Sequence, residues 1–177
     1  MEFAKIVLFS LLAAIAYGIA QDQVTAHLCV EYFTVAHPAV FPTRSPFLLA
    51  IGWGILATWW VGLPLGLLLA TASRFGARRR LVLADVRSLI LRLLAFAALS
   101  AIVAGVLGAY LFATGEIRVP GGWAAVIPPE KHTAFTADAW AHLASYTSGI
   151  VGGVVVVGCA LVQRFRRGGI DTVTRSA

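Results

Sequence analysis

The run LILRLLAFAALSAIVAGVLGAYLFA, residues 89–113, is apolar throughout except for Arg92. A hydrocarbon core of ~30 Å needs about 20 helical residues, so this run predicts a transmembrane helix. Three more runs have the same character, residues 3–20, 47–72 and 146–162. The first and last are short, and we expect them to extend into polar neighbours, to about residue 36 and from about residue 136. The sequence therefore predicts an all-α, integral membrane four-helix bundle.

Composition supports this class of protein. Of the 177 residues, 59% are hydrophobic and 12% are charged, and the mean hydropathy is +0.85. Soluble domains carry about 25% charged residues, so the chain reads as one transmembrane domain over residues 1–177 in contact with a lipid bilayer. The net charge of +6 does not indicate a nucleic-acid partner, because the positive residues lie in blocks that flank apolar runs.

The arginines predict an orientation. Most lie in the loop of residues 73–88 and the tail of residues 163–177, whereas the loops of residues 37–46 and 114–135 hold only Arg44, Arg118 and Lys131. By the positive-inside rule, both termini and loop 73–88 are cytoplasmic, and the other two loops face outward. Helices 1 and 4 then project beyond the outer face. We expect a multi-pass protein of a bacterial-type inner (plasma) membrane.

The N-terminus leaves one alternative open. Lys5, the apolar stretch after it and Gly18-Ile19-Ala20 before Gln21 resemble a secretory signal peptide with a small-residue cleavage site. Cleavage there leaves three spans and a free N-terminal arm. An A-x-A pattern is a weak signal in an alanine-rich helix, so we expect residues 1–20 to be kept as a span.

Small residues recur at four-residue intervals in the predicted spans. Gly62 and Gly66 lie in the second span and Gly149 and Gly153 in the fourth, and the third has a similar stripe. Small faces let helix backbones approach closely in lipid, so they predict tight packing, and they could also serve a homo-oligomer or a protein partner. Pro64, inside the second span, predicts a kink.

Two histidine–carboxylate pairs predict a site near the outer mouth of the bundle. His27 and Glu31 are four residues apart, as are Asp138 and His142, so each pair lies on one helical face. The small-residue stripes of helices 1 and 4 point these faces at each other. Two histidines and two carboxylates predict a site for a divalent transition metal, zinc, iron or manganese. His37, His132 and Asp22 are possible further ligands.

Other readings of the same residues remain open. Thr136 and Asp138 also fit a helix N-terminus, and His27 with Glu31 also fits a surface pair. No phosphate-binding loop occurs, so no nucleotide is expected. Haem is not expected either, because the histidines pair with carboxylates. Cys29 and Cys159 are predicted near opposite membrane faces, so a disulfide between them is not expected.

The leading functional hypothesis is a membrane protein that uses this metal for catalytic or redox work at the outer face. Whether it is an enzyme is left open. One alternative is a small assembly or interaction subunit of a larger membrane complex, without metal. A transporter is the second alternative, and it is the weakest because Arg92 is the only ionisable residue inside the predicted spans.

Overall fold

The computed structural model describes residues 1–76 and 79–173, with residues 167–173 described by their backbone alone. Its secondary structure consists of helices, with no strand among the described residues. The helices are α1 (Glu2–Leu28), α2 (Val30–Thr34), α3 (Pro46–Leu56), α4 (Trp59–Arg74), α5 (Leu83–Ala113), α6 (Trp123–Val126) and α7 (His132–Val173), with a short 3₁₀ turn at Pro129–Lys131.

Four helical segments of the described chain are long and apolar enough to cross a membrane: Glu2–Leu28, Pro46–Arg74, Leu83–Ala113 and Pro129–Arg166. The predicted all-helical architecture with four spans is confirmed. The direction of insertion, the projection of helices 1 and 4 beyond a membrane face, and the bacterial-type inner membrane stay predictions. Arg78 and Arg175 of the charge argument lie outside the described residues.

The sequence predicts that the first span continues as one helix to about residue 36, but the structure does not have this. The helix ends at Leu28, and Cys29 has an extended conformation (φ −146°, ψ 87°) before α2 begins. The break lets the chain fold over the end of the bundle and bury apolar side chains. Cys29 packs with Ile127 and Phe135, and Phe33 packs with Leu49. The free energy gained by burying these side chains outweighs the few backbone hydrogen bonds that are lost where the helix is interrupted.

The second span is also interrupted, and not where Pro64 predicts. Pro64 lies inside α4, whereas the interruption is at Ala57 and Thr58, between α3 and α4. At this point the hydroxyl of Thr58 donates to the carbonyl of Gly54. Gly18 of α1 approaches so closely that a Cβ atom there would lie 2.7 Å from the Gly54 carbonyl oxygen. The close approach and the diverted carbonyl explain the break better than the proline does.

The spans pack as two hairpins. In the first, α1 packs against α3 and α4; in the second, α5 packs against α7. The small residues predicted to mediate packing do so in spans two and three: Gly62 and Gly66 face α1, and Gly105 faces α7. Gly149 is different, because its open side has no neighbour within 4 Å. We call the contact between the two hairpins the seam.

The two ends of the bundle differ in chemistry. At the arginine end, defined by Arg74 and Arg164, the buried guanidinium of Arg164 donates to the carbonyls of Ala72, Phe75 and Arg79 at 2.7 to 2.9 Å. These bonds satisfy carbonyls at the end of α4 and fix the connection to α5. The opposite end, which holds Asp22, His37 and His142, is called the histidine end.

Candidate functional site

A buried Asp–His pair joins the two hairpins at the histidine end. Nε2 of His142, on α7, lies 3.2 Å from Oδ1 of Asp22, on α1. Their side chains are 12% and 7% exposed. Asp22 was predicted only as a possible extra ligand, yet it, and not His27 or Glu31, is the α1 residue that meets His142. The pair is the polar centre of the seam.

Hydrogen bonding fixes how many protons this pair holds. Nδ1 of His142 lies 2.8 Å from the Asp138 carbonyl, which can only accept, so Nδ1 carries a proton and donates. The contact between Nε2 and Asp22 then needs one more proton, on either atom. The pair is therefore joined by one shared proton, and both ring nitrogens of His142 are engaged. No nitrogen of His142 is left to act as a general base toward a substrate.

Aromatic rings enclose the pair. Tyr32 stacks on the His142 ring with centroids 4.7 Å apart, and Phe33 meets the same ring edge-on at 5.7 Å. His37 packs on the other side of this wall, 4.8 Å from Tyr32 and 4.9 Å from Trp53. Nδ1 of His37 donates to the Tyr32 carbonyl at 2.7 Å. These rings hold the imidazole in place and cover it on the side of α2.

Two further hydrogen bonds cross between elements next to the pair. The hydroxyls of Tyr17 on α1 and Ser145 on α7 are 2.8 Å apart. Tyr146 donates to the carbonyl of Ala57, which is freed at the break in the second span, at 3.2 Å. A cavity of about 70 Å³ lies between these groups, and Thr58, Asp22 and His142 also line it. Its lining is mostly apolar, with polar atoms from these side chains, and it is large enough to hold a water molecule.

Asp138 is the anomaly of the site. The residue is completely buried, and neither carboxylate oxygen has a hydrogen-bond partner in the part of the chain that the structure describes. The alternative that it caps a helix N-terminus is wrong, because α7 begins at His132, and Thr136 lies within that helix and donates back to the His132 carbonyl. A buried carboxyl without a partner is costly, and native structures keep few of them.

Asp138 also lines a groove on one side of the seam. The groove has a volume of about 470 Å³ and runs between α1 and α5, with Ala137, Asp138 and Ala141 of α7 as its floor. Its walls are apolar apart from Tyr17, Gln21 and Thr25. Those three already have hydrogen-bond partners, since Tyr17 donates to the Gln21 side chain and Thr25 donates to the Gln21 carbonyl. Among the described residues that line the groove, Asp138 is the one whose buried side-chain oxygens have no hydrogen-bond partner.

The structure does not support the predicted metal site. Within residues 1–76 and 79–173 there is no group of three or more His, Cys, Asp or Glu side chains placed to hold one ion. His27 is exposed, and its Nδ1 donates to the Gln23 carbonyl. Glu31 lies beyond the break at Cys29 and accepts from the Cys29 thiol at 3.5 Å. His132 bonds the Ile127 carbonyl through Nε2, away from the Asp22–His142 pair.

Two groups next to the site have altered acidity. Burial, with a smaller contribution from the neighbouring carboxylates Asp138 and Glu31, raises the pKa of the Cys29 thiol to about 12. Burial also raises the pKa of Tyr32, again with Asp138 as the largest charge effect. Both groups therefore stay protonated at neutral pH, so Cys29 is not an activated nucleophile.

Reasoning from sequence missed the tyrosines of the site, Tyr17, Tyr32 and Tyr146. One signal was available, because Tyr32 lies between His27 and His37, Tyr17 precedes Asp22 by five residues and Tyr146 follows Asp138 by eight. Their partners are on other helices, however, so helical spacing alone could not pair them.

Compared with known protein families, with characterised proteins and with solved structures, the chain has no match. The fold and the site themselves define the class: an all-helical protein with four membrane-length helices and a buried Asp–His–Tyr cluster between two hairpins. The chemistry of this site is therefore the basis for a functional proposal.

Proposed function

We propose that the protein is a proton-coupled membrane carrier, in which the seam between the two hairpins opens and closes at the Asp22–His142 pair. The observation that carries the proposal is the 3.2 Å contact between Nε2 of His142 and Oδ1 of Asp22, a buried pair that links α1 to α7 and needs one shared proton. A carrier needs an element with two arrangements whose balance a bound proton can shift.

The proton count gives the coupling. With one shared proton, the hydrogen bond joins the hairpins. Loss of that proton leaves two acceptors, the Nε2 lone pair and a carboxylate, facing each other and removes the bond that holds the seam. A second proton changes the charge of the pair but leaves the imidazolium N–H donating to the neutral acid. The titratable groups around the pair are Tyr17 on α1, Tyr32 and His37 beyond α1, and Asp138 and Tyr146 on α7.

The interrupted second span supports the same function. Discontinuous helices in transporters place freed backbone groups beside the substrate and ion sites. Here the freed carbonyl of Ala57 accepts from Tyr146, at a cavity that Asp22 and His142 also line. The sequence disfavoured a transporter because Arg92 is the only ionisable residue inside the predicted apolar runs. In the structure, Asp22, Asp138 and His142 all lie within the membrane-length helices.

The metal hypothesis is not carried forward, because its predicted ligands do not converge among the described residues. The assembly-subunit alternative has no specific observation in its favour. Insertion with the histidine end outward, as the arginine distribution predicts, would expose the seam to the proton-rich side of a bacterial-type membrane.

The test is proton movement in vesicles. Protein is reconstituted into liposomes that contain the pH dye pyranine, and benzyltrimethylammonium, benzenesulfonate or benzyl alcohol is added outside. The two ions carry fixed charges, so they cannot carry protons across lipid themselves. We expect at least one to move protons with wild-type protein and not with Asp22→Asn. Signals equal to those of empty liposomes for all three would count against a carrier.

A further inference from the structure

We propose that the groove between α1 and α5 binds a lipophilic cation, with Asp138 as its counter-ion. The role of this cation as cargo rests on the proposed carrier. Its binding rests on the groove and on Asp138. The juxtaposition is a completely buried, unpartnered carboxyl at the floor of an apolar groove of about 470 Å³.

The walls decide the apolar part of the ligand. Ala98, Ile102 and Val106 of α5 face Val24 and Leu28 of α1 across the groove. The volume lies in the range of about 300 to 1,000 Å³ typical of sites for small organic molecules. In a membrane, such a groove between helices opens sideways to lipid, so a molecule dissolved in the bilayer can enter it.

The carboxyl of Asp138 determines which polar group of a ligand the groove can bind. No Lys or Arg forms an ion pair with Asp138 among the described residues. Asp22, another carboxylate, acts on it electrostatically and is itself paired to His142. An ammonium group supplies both the donors and the positive charge that this carboxyl lacks, and charge-assisted hydrogen bonds are about twice as strong as neutral ones. A neutral hydroxyl supplies one donor and no charge.

Binding requires a small movement. The carboxylate oxygens are covered, so the Asp138 side chain must turn toward the groove to meet the ammonium. Its neighbours there are small, since Ala137, Ala141 and Gly105 form the adjoining surface. Small neighbours leave room for this rotation without displacing a helix.

The test compares two probes of the same shape. Calorimetric titration in a neutral maltoside detergent measures binding of 1-aminoadamantane, which is cationic, and 1-adamantanol, which is not. We expect wild-type protein to bind the amine at least about tenfold more tightly than the alcohol, and Asp138→Asn to lose that preference. Glu116→Gln, which removes an exposed carboxyl, is the matched control and should bind as wild type.

A second variant covers the case that Asp138→Asn does not fold. Ala98→Phe fills the groove without touching the carboxyl, and it should abolish binding of both probes. Equal binding of amine and alcohol by wild type, or unchanged amine binding by a folded Asp138→Asn, would overturn the proposal. Binding that depends on Asp138 without proton movement in vesicles would keep the cation site and remove the carrier.

The ammonium can belong to a lipid headgroup or to a soluble amphiphile. Repeating the amine titration with phosphatidylethanolamine or phosphatidylglycerol in the micelles separates these sources. Displacement by the amino lipid alone assigns the groove to a lipid headgroup. Displacement by neither assigns it to a soluble amphiphile, and both outcomes support the cation site.

Discussion

Asp22 and His142 are 120 residues apart in the chain, yet Oδ1 of the first lies 3.2 Å from Nε2 of the second across the seam. Among the described residues, neither of these two atoms contacts another side chain. Removing one residue therefore leaves the buried polar atom of the other unpaired. This mutual dependence has consequences for stability that can be measured.

The first prediction concerns the strength of the pair. We expect Asp22→Ala and His142→Ala each to lower the free energy of unfolding in mixed micelles by about 3 kcal/mol, because breaking a buried pair strands its partner. The double variant should cost much less than the sum of the two. Lys5→Ala, which breaks the exposed Lys5–Glu2 pair, is the control and should change stability little. Additive losses at Asp22 and His142 would show that the pair is not coupled.

The second prediction concerns the seam. With both native cysteines replaced by serine, spin labels at Val40 and Thr114 report the distance between the hairpins at the histidine end. We expect one narrow distance near neutral pH and added longer distances at the alkaline extreme, since loss of the shared proton leaves two acceptors facing each other across the seam. Asp22→Asn should remove this pH response. A distance that is independent of pH in the wild type would contradict proton control.

The third prediction concerns the break in the second span. Gly18→Ala would place a Cβ atom 2.7 Å from the Gly54 carbonyl oxygen and against the Thr58 side chain, so we expect a loss of about 1 to 3 kcal/mol in unfolding free energy. Gly149→Ala is the matched control, because nothing lies within 4 Å of that position and alanine favours the helix. Equal stability of the two variants would mean that α1 does not pack closely at the break.

The fourth prediction concerns Cys29. Since burial raises its pKa to about 12 from an ordinary 9.0, the thiolate fraction at pH 8 falls about a thousandfold. In a Cys159→Ala background, iodoacetamide should therefore hardly modify the folded protein, and the rate should rise steeply in denaturing detergent. Raising the pH to 9 should increase the slow rate but leave Cys29 far from fully reactive. Equal rates in the folded and denatured protein would show that α2 does not cover this thiol.

The membrane helices could be predicted because their signal is local. Each apolar run, extended into its polar neighbours where it is short, is long enough to cross a bilayer, and the structure is helical in each place. Helix ends were less predictable: α5 begins at Leu83, where the Asp85 side chain accepts from the Val82 amide, six residues before the predicted start at residue 89. Side-chain caps of this kind extend a helix beyond its apolar run.

The candidate site could be predicted only in part. The histidine end was identified because its histidines and carboxylates lie between apolar runs, and Asp138 and His142 do lie on one face of α7. The α1 partner was predicted wrongly, because His27 lies on an exposed face of α1 whereas Asp22 is buried, and a one-residue interruption at Cys29 separates His27 from Glu31. Periodicity arguments assume an unbroken helix, so they fail beyond any break.

By itself, the sequence determined that the chain is helical, that four segments are long enough to span a bilayer, and that charge separates to the two ends, because these properties depend on residues close together in the chain. Only the tertiary structure decided that Asp22 meets His142, that Tyr17 meets Ser145, and that Asp138 stays without a partner. Those outcomes depend on the register at which two hairpins pack, and close packing of small residues sets that register across more than a hundred residues of chain.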